Sequence, residues 1–416
     1  MKSISYFKSA LFLSRKSLTR GNRWQLALII IVISLSFISL LLTPSIMAGV
    51  VKSLDNQQIN ALSGNIVIVP QSDKDYLDNV EETQTQIQKT AGVVGVSPRL
   101  NSRAFIEYQW LDTQSPSDIS KSGTWNVIGI DPQRDATVTT IHSQMIQGSY
   151  LDEHDLDSII LGVEIAGGTM AQTEQYRTLG GVTIGSKVRL TYANGVQKEY
   201  MVNGIFRTRE GMADRMALVN KEELVSVLGG QVSADQASQI IIRTAPSYDE
   251  NTVIGELKAA GISGEIRTWQ EYGGSAGGVV SSFNAIASLI SAIGIVVAAV
   301  VMFIVIYINV LHRERQIGIL RAIGINRRIV IYSYLFQAVF YAFSGMAIGG
   351  LIFRFVIIPY FNAYPIDLPI GLVSLSVNPE TIQLGIIGIV LAAVFAGVIP
   401  VLSIIRHSII RSIWGD

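Results

Sequence analysis

Four stretches of the chain carry no Asp, Glu, Lys or Arg and are long enough to cross a bilayer. They lie between Arg23 and Lys52 (28 residues), Glu271 and Arg313 (41), Arg328 and Arg354 (25), and Glu380 and Arg406 (25). A bilayer core about 30 Å thick takes about 20 apolar helical residues, and a charge at its centre costs roughly 3 kcal/mol on insertion scales. The windows therefore predict transmembrane helices over 25–48, 282–310, 329–358 and 381–405. Between the first two, residues 49–280 follow a different period. GNIVIVP (64–70), NVIGI (126–130), SIIL (158–161), KVRLTY (187–192), KEYMVNGIF (198–206) and QIIIRT (239–244) alternate or are rich in β-branched residues. Glycine-containing turns such as Ala193-Asn194-Gly195-Val196 separate them, which predicts strands and a hairpin. Helical spacing recurs over 75–90, 163–178, 220–228 and 249–260.

Two segments of the polar region echo each other. GNIVIVPQSDKDYLDNVEETQTQIQKTAGVVGVSPRL and SQIIIRTAPSYDENTVIGELKAAGISGEIRT both read strand–helix–strand. They predict a large α+β domain with one lobe split between about 60–104 and 236–270, and a β-rich lobe of about 105–235 inserted into it. The first apolar run is about 18 residues or more, longer than the roughly 7–15 of a signal peptide. TPSIMAGV offers small residues to a peptidase, but the length favours a retained helix.

Charge gives these elements an orientation. The chain of 416 residues is 49% hydrophobic and 15% charged, against about 25% charged in soluble domains. Residues 49–280 hold 18 Lys/Arg and 28 Asp/Glu, and the remaining 184 hold 14 and 4. Lys2, Lys8, Arg15, Lys16, Arg20 and Arg23 precede the first window. Arg313, Arg315, Arg321, Arg327 and Arg328 lie between the second and third, and Arg406 and Arg411 follow the fourth. The link 359–380 has no Lys or Arg. Basic residues stay on the cytoplasmic side. The expectation is a plasma-membrane protein with segment 1–24, link 311–328 and tail 406–416 inside, and 49–280 and loop 359–380 outside. The acidic balance of the polar region argues against nucleic acid as a partner. Cysteine is absent.

Candidate chemistry is sparse. No G-x-x-x-x-G-K-[ST] occurs, so the chain lacks a backbone cradle for nucleotide phosphates. No H-E-x-x-H or Ser–His–Asp arrangement is present, and no catalytic or metal-ligating residue is assigned. The acidic run Leu151 to Asp157 lacks the glycine and distant glutamate of a calcium loop and reads as a solvated turn. Arg354, at one end of the third window, reads as a snorkelling side chain. Small residues at four-residue spacing, Gly294/Ala298, Gly345/Gly349 and Ala393/Gly397, permit close helix packing within one chain or between copies. Gly273, Gly274, Gly277 and Gly278 form a candidate hinge between the polar domain and the second window. In 311–328, Ile317, Leu320 and Ile323, with Ile319 beside them, make an apolar strip flanked by Arg313, Glu314, Arg315 and Arg321. Gly324 is a natural helix stop. Such a helix either enters a partner groove or lies on anionic lipid.

These pieces resemble a known family. HRERQIGILRAIGINRRIV (312–330) resembles the cytoplasmic loop of ABC transporter permeases of the MacB/FtsX-like and LolC/LolE-like family. VIGIDPQRDATV (127–138), SIILGVEIA (158–166), VTIGSKVRLTYANGVQKEYMVNGIF (182–206) and GVIPVLSIIRHSII (397–410) match in the same order. Gln316 stands where the family usually has Glu, and Ile409 and Arg411 where its tail commonly runs to Pro and Glu. The resemblance implies a permease that is not itself an enzyme. It implies two copies of a separate ATPase holding ATP and Mg, a second permease copy that is identical or related, and an accessory protein outside the membrane. It makes Arg313, Glu314, Arg315, Ile317, Gly318, Leu320, Arg321 and Gly324 the ATPase-coupling residues. The implied function is to move the outer domain for export or release of lipoprotein, lipid, peptide or drug. A sensor or scaffold without transport, or an FtsX-like regulator of a cell-wall hydrolase, is the alternative.

Overall fold

A computed structural model describes residues 2–20, 23–111, 121–170, 177–273, 275–311, 314–368 and 371–406. The chain divides into a helical unit (1–52, 281–367 and 372–416) and an α+β unit (53–280 and 368–371).

In chain order the elements are α1 (Lys2–Arg20), α2 (Arg23–Gln57), β1 (Ile66–Val69), α3 (Val80–Gln88), β2 (Val93–Tyr108), β3 (Ser122–Ile130), α4 (Pro132–Val138), β4 (Met145–Gly148), β5 (Ser158–Gly162), α5 (Val163–Ala166), β6 (Lys187–Tyr192), β7 (Gln197–Phe206), β8 (Met216–Asn220), α6 (Lys221–Leu228), β9 (Gln239–Thr244), α7 (Glu250–Ala259), β10 (Glu265–Thr268) and α8 (Trp269–Tyr272). There follow α9 (Ser275–Leu311), α10 (Glu314–Ala322), α11 (Arg327–Ile352), α12 (Ile358–Ala363), the short strands β11 (Ile366–Leu368) and β12 (Gly371–Val373), and α13 (Pro379–Arg406).

The two strand–helix–strand segments lie side by side, in the strand order β10-β1-β9-β2. Their helices bury one stripe each on this sheet, α3 through Val80 and Ile87 and α7 through Val253 and Leu257, against Ile66, Ile68, Ile240 and Ile242. Strand β2 does not stop where this sheet stops. Its first half pairs with β9 (Arg99 opposite Gln239) and its second half with β3 and β6 (Ala104 opposite Trp125 and Tyr192). From there β3, β8, β5, β7 and β6 continue and return to β2, closing a ring of six strands. Closure removes free edges. The ring is filled by Ile106, Val127, Leu161, Leu190, Val202 and Val219, all fully buried.

The β6–β7 hairpin turns at Ala193–Val196 with Gly195 at φ +81°, and the Tyr192 amide donates to Val196 O at 3.0 Å. Of the helix predicted over 163–178, the described residues show the single α turn Val163–Ala166 and a 3-10 turn at Gly168–Met170. Gly167 and Gly168 stand at φ +74° and +75°, a left-handed pair that no α-helix continues through. Residues 171–176 of that segment lie outside the described residues. The second strand of the first segment, read as ending with it at Leu100, runs on to Tyr108 as β2, the longest strand.

The helices Leu26–Ser63, Arg327–Ala363 and Pro379–Ile399 are long and apolar enough to cross a membrane. Within α9, the apolar stretch found among the described residues is Ser288–Val301, shorter than a span. Ile33 and Phe37 of α2, Ala338 and Met346 of α11, and Ile389 and Ala393 of α13 share one core in the helical unit. Two of the small-residue pairs are seams inside this unit. A Cβ on Gly345 would sit 2.5 Å from Ile33 Cγ2, one on Gly349 2.8 Å from Ser34 O, and one on Gly397 2.8 Å from Ala338 Cβ. Gly294 has nothing within 4 Å of that position. Gly345→Leu should therefore lower stability by about 1–3 kcal/mol, seen as a lower thermal midpoint in detergent. An unchanged midpoint would contradict the α2–α11 seam. The sequence reading also missed α1, which packs on α11 through an edge-to-face contact of Phe7 with Phe336 (centroids 4.9 Å apart) and through Ser17 Oγ, which donates to Gln337 Oε1 (3.2 Å).

Candidate functional site

The chain enters the α+β unit by a π turn, Gln58–Ser63, that continues α2 without a break. This turn is fastened mostly through its backbone. Asn60 O accepts from the Thr140 amide (2.8 Å), and Leu62 O accepts from Arg99 Nη1 (2.8 Å). The Arg243 guanidinium reaches the Asn60 side chain. Gly64 ends the turn at φ +63°, where a Cβ would lie 2.5 Å from Ile242 O. Asn65 then ties entry to exit. Its amide donates to Ile242 O (2.8 Å), its carbonyl accepts from the Trp269 amide (3.0 Å), and its side chain bonds Glu250 (2.9 Å) and the Thr244 amide (3.2 Å). The exit helix α8 is held at its start by a reciprocal cap between Thr268 and Glu271.

The anchor behind Leu62 is an ion pair with no solvent exposure on either side chain. Arg99 Nε and Nη2 meet Asp135 Oδ1 and Oδ2 at 2.8 and 3.1 Å. Ser97 donates to the same carboxylate at 3.2 Å, Thr139 at 2.7 Å and Tyr150 at 3.3 Å. Ser97 and Arg99 share a face of β2 by the strand period of two. Asp135 is delivered by α4, whose start is set by Pro132 and by the Asp131 side chain, which accepts from the Gln133 and Arg134 amides. Burial, then the Asp135 charge, push the Tyr150 phenol well above its usual range, so it remains a donor. Two buried charges are tolerable when paired and fully hydrogen-bonded, and here the surplus guanidinium donor goes to the entering chain.

Beside this joint lies a half-open cavity of about 690 Å³. Gln58, Leu62, Tyr272 and Gly273 line it from the entering and leaving chain, and Asn101, Ser102, Arg103, Asn126, Ile128, Met212, Met216 and Gln239 from the sheet side. A Cβ on Gly273 would sit 2.7 Å from Gln58 Nε2.

A family model for the MacB-like periplasmic core domain matches residues 26–260, more than half of the chain, and one for the FtsX-like permease C-terminal region matches residues 288–409. The chain belongs to the MacB/FtsX-like permease family. Members are membrane components of ABC transporters and work with ABC ATPase partners. Among solved structures, the chain is similar to the periplasmic region of MacB from Actinobacillus actinomycetemcomitans (13% identity, 54% of this chain and 97% of that chain, TM-score 0.35). It is also similar to the extracellular domain of the noncanonical ABC-type transporter YknZ from Gram-positive bacteria (13%, 49% and 97%, TM-score 0.33). A third is a domain of a putative permease protein from Porphyromonas gingivalis (13%, 49% and 87%, TM-score 0.30). No curated protein matches this chain.

In this MacB/FtsX-like permease the sequence-derived coupling residues fall on and around α10. Arg313 lies outside the described residues, as do the side chains of Glu314, Leu320 and Arg321. Arg315 is exposed. Gly324 closes the segment at φ +95°, as a helix stop requires. The apolar strip is divided. Ile317 is 1% exposed and belongs to the core of the helical unit, whereas Ile319 (44%) and Ile323 (75%) are open. Gly318 is buried beside Ile317. Of the candidate hinge, Gly274 lies outside the described residues, and Gly277 and Gly278 are already helical within α9 rather than in a linker. Gly273, among the described residues, lies in close contact with Gln58. The acidic run at Leu151–Asp157 is a surface turn closed by Asp155 Oδ2 on the Asp152 amide (3.0 Å), and Asp157 pairs with Lys198 (3.0 Å).

Sequence reasoning missed the joint. Arg99 in the buried register of a strand was its visible signal. Its partner 36 residues away was not visible.

Proposed function

We propose that this chain is the permease subunit of an ABC transporter in the plasma membrane, with four spans, both termini cytoplasmic and the α+β unit outside. Two ATPase subunits bind the link 311–328 and a second permease copy completes the assembly. Gly294, open on α9, suits contact with that copy. ATP-driven closure of the ATPases shifts α10, the spans tilt, and the α+β unit changes shape, so that a lipoprotein, lipid, peptide or drug outside the cytoplasm is released or exported. What supports this reading is the pair of family matches, to the MacB-like periplasmic core domain over residues 26–260 and to the FtsX-like permease C-terminal region over 288–409.

The test is on α10. Gly318→Trp forces an indole into a buried position. It should leave the permease in the membrane and able to bind its ATPase, yet lower substrate release per ATP by about tenfold or more, since a small misplacement at a coupling element is felt as a large kinetic loss. Co-elution of an ATPase-sized protein with the tagged chain in mild detergent is expected alongside. Unchanged transport by the variant, or a wild-type chain that elutes without any ATPase, would end the assignment.

A further inference from the structure

The helical unit carries a cavity of its own, a groove of about 870 Å³ lined from α2, α11 and α13. These belong to the helices long and apolar enough to cross a membrane. Phe343, Ala347, Gly350 and Arg354 line the groove as a single stripe at helical spacing. Small residues at 347 and 350 make the room. A Cβ on Gly350 would sit 3.7 Å from Phe37 Cε1, in ordinary contact rather than overlap. Met346 and, from α13, Ile382 and Ile386 continue the apolar wall. From Phe343 to Arg354 a helix rises roughly 16 Å at about 1.5 Å per residue. That is about the depth of one leaflet, half of a hydrocarbon core of about 30 Å.

Arg354 is the single charged side chain lining the groove. It is exposed, and none of the ion pairs among the described residues includes it. It lies in the π turn Phe353–Ile357, a local irregularity of the kind found frequently at functional sites. The chain runs on beyond it to Tyr360 and Tyr364, both exposed, with ring centroids 5.4 Å apart. Tyrosines collect at headgroup level. Arg354 therefore stands roughly 9 Å inward of Tyr360 along the axis, where an uncompensated charge is costly. Reaching toward the headgroups relieves part of that cost. An anion brought to the guanidinium relieves it directly, and phosphate matches the guanidinium fork with two parallel hydrogen bonds.

We infer that this groove binds one phospholipid with a net negative headgroup, its phosphate on Arg354 and an acyl chain laid over Ala347 and Gly350 toward Phe343. A peptide or a sugar would leave its polar groups unpaired against this wall. A zwitterionic lipid brings the same phosphate but adds a cation that Arg354 repels. The bilayer around α2, α11 and α13 supplies the occupant, and a lipid in contact with all three ties these spans together. The inference rests on the permease reading only for the leaflet from which the lipid comes.

The test uses the full chain in dodecyl maltoside with 13C-methyl methionine, the Met346 signal being assigned through M346L. Dioctanoyl phosphatidylglycerol should shift that signal saturably. Dioctanoyl phosphatidylcholine should bind about fivefold more weakly, the scale of one basic side chain at an anionic surface. Arg354→Gln, at an exposed position, should abolish the preference, and Arg354→Lys should keep part of it. Ala347→Phe, also at an exposed position, fills the stripe and should weaken both lipids alike while the other methionine signals stay native. Absence of any saturable shift, equal binding of the two lipids, or a phosphatidylglycerol preference that survives Arg354→Gln would overturn the inference. So would a Met346 signal that moves with protein concentration rather than with lipid, which would make the groove a seam between copies of the chain. The comparison of the two lipids on the parent and on Arg354→Gln decides the matter whether or not Ala347→Phe folds. No ATPase is present in this measurement, so failure here leaves the co-elution result untouched, and failure of co-elution leaves lipid binding untouched.

Discussion

Replacing Arg99 by methionine should cost the α+β unit about 3–5 kcal/mol, because it leaves the Asp135 carboxylate buried and uncompensated. The size follows from the burial. Neither side chain is exposed, so water cannot take over the lost contact. The variant also strands Leu62 O, which loses its guanidinium donor. Adding Asp135→Leu removes the charge but not the whole defect. Ser97, Thr139 and Tyr150 lose their common acceptor, at about 1–3 kcal/mol for each buried group left unmade. The double variant should therefore recover only part of the loss. Thermal or chemical unfolding of the full chain in detergent, compared across the two singles and the double, reads both effects. An Arg99→Met protein within 1 kcal/mol of the parent would show that the pair does not anchor the joint.

The second large effect is expected at Gly64. Its φ of +63° is strained for a β-branched residue, and the Cβ position lies 2.5 Å from Ile242 O and 2.9 Å from Val138 Cγ1. Backbone strain and overpacking each contribute about 1–3 kcal/mol, so Gly64→Val should destabilise by about 2–6 kcal/mol and Gly64→Ala by less. The damage is local to the joint. Hydrogen exchange should lose protection first at the Asn65 amide, which donates to Ile242 O. Equal protection and stability in the valine variant would show that the chain can enter the sheet by another path. Loss of protection there with retained ring amides would locate the defect at the entry alone.

What was readable in the sequence and what was not divides along a physical line. Strand runs such as KVRLTY and QIIIRT were legible because a half-buried strand repeats every two residues, and they stand as β6 and β9. The helix read from 163 breaks at Gly167 and Gly168, because helical spacing of apolar residues does not register a pair of left-handed glycines. The apolar strip of α10 was legible as a strip, but periodicity cannot say that Ile317 turns into its own unit while Ile323 stays open. The glycines at 345 and 349 announced close packing, and only the packed helices showed that α2 fills the space.

The amino-acid sequence by itself determined the charge-free windows, the acidic α+β region between them, the lack of a phosphate-binding loop and the family, because each of these is written in local composition or spacing. The tertiary structure alone decided the ring closed by β6 on β2, the pairing of Arg99 with Asp135, the grip on Leu62 and the cavity beside it. Those features join residues distant along the chain, and local periodicity reports that a side chain is buried without reporting what it is buried against.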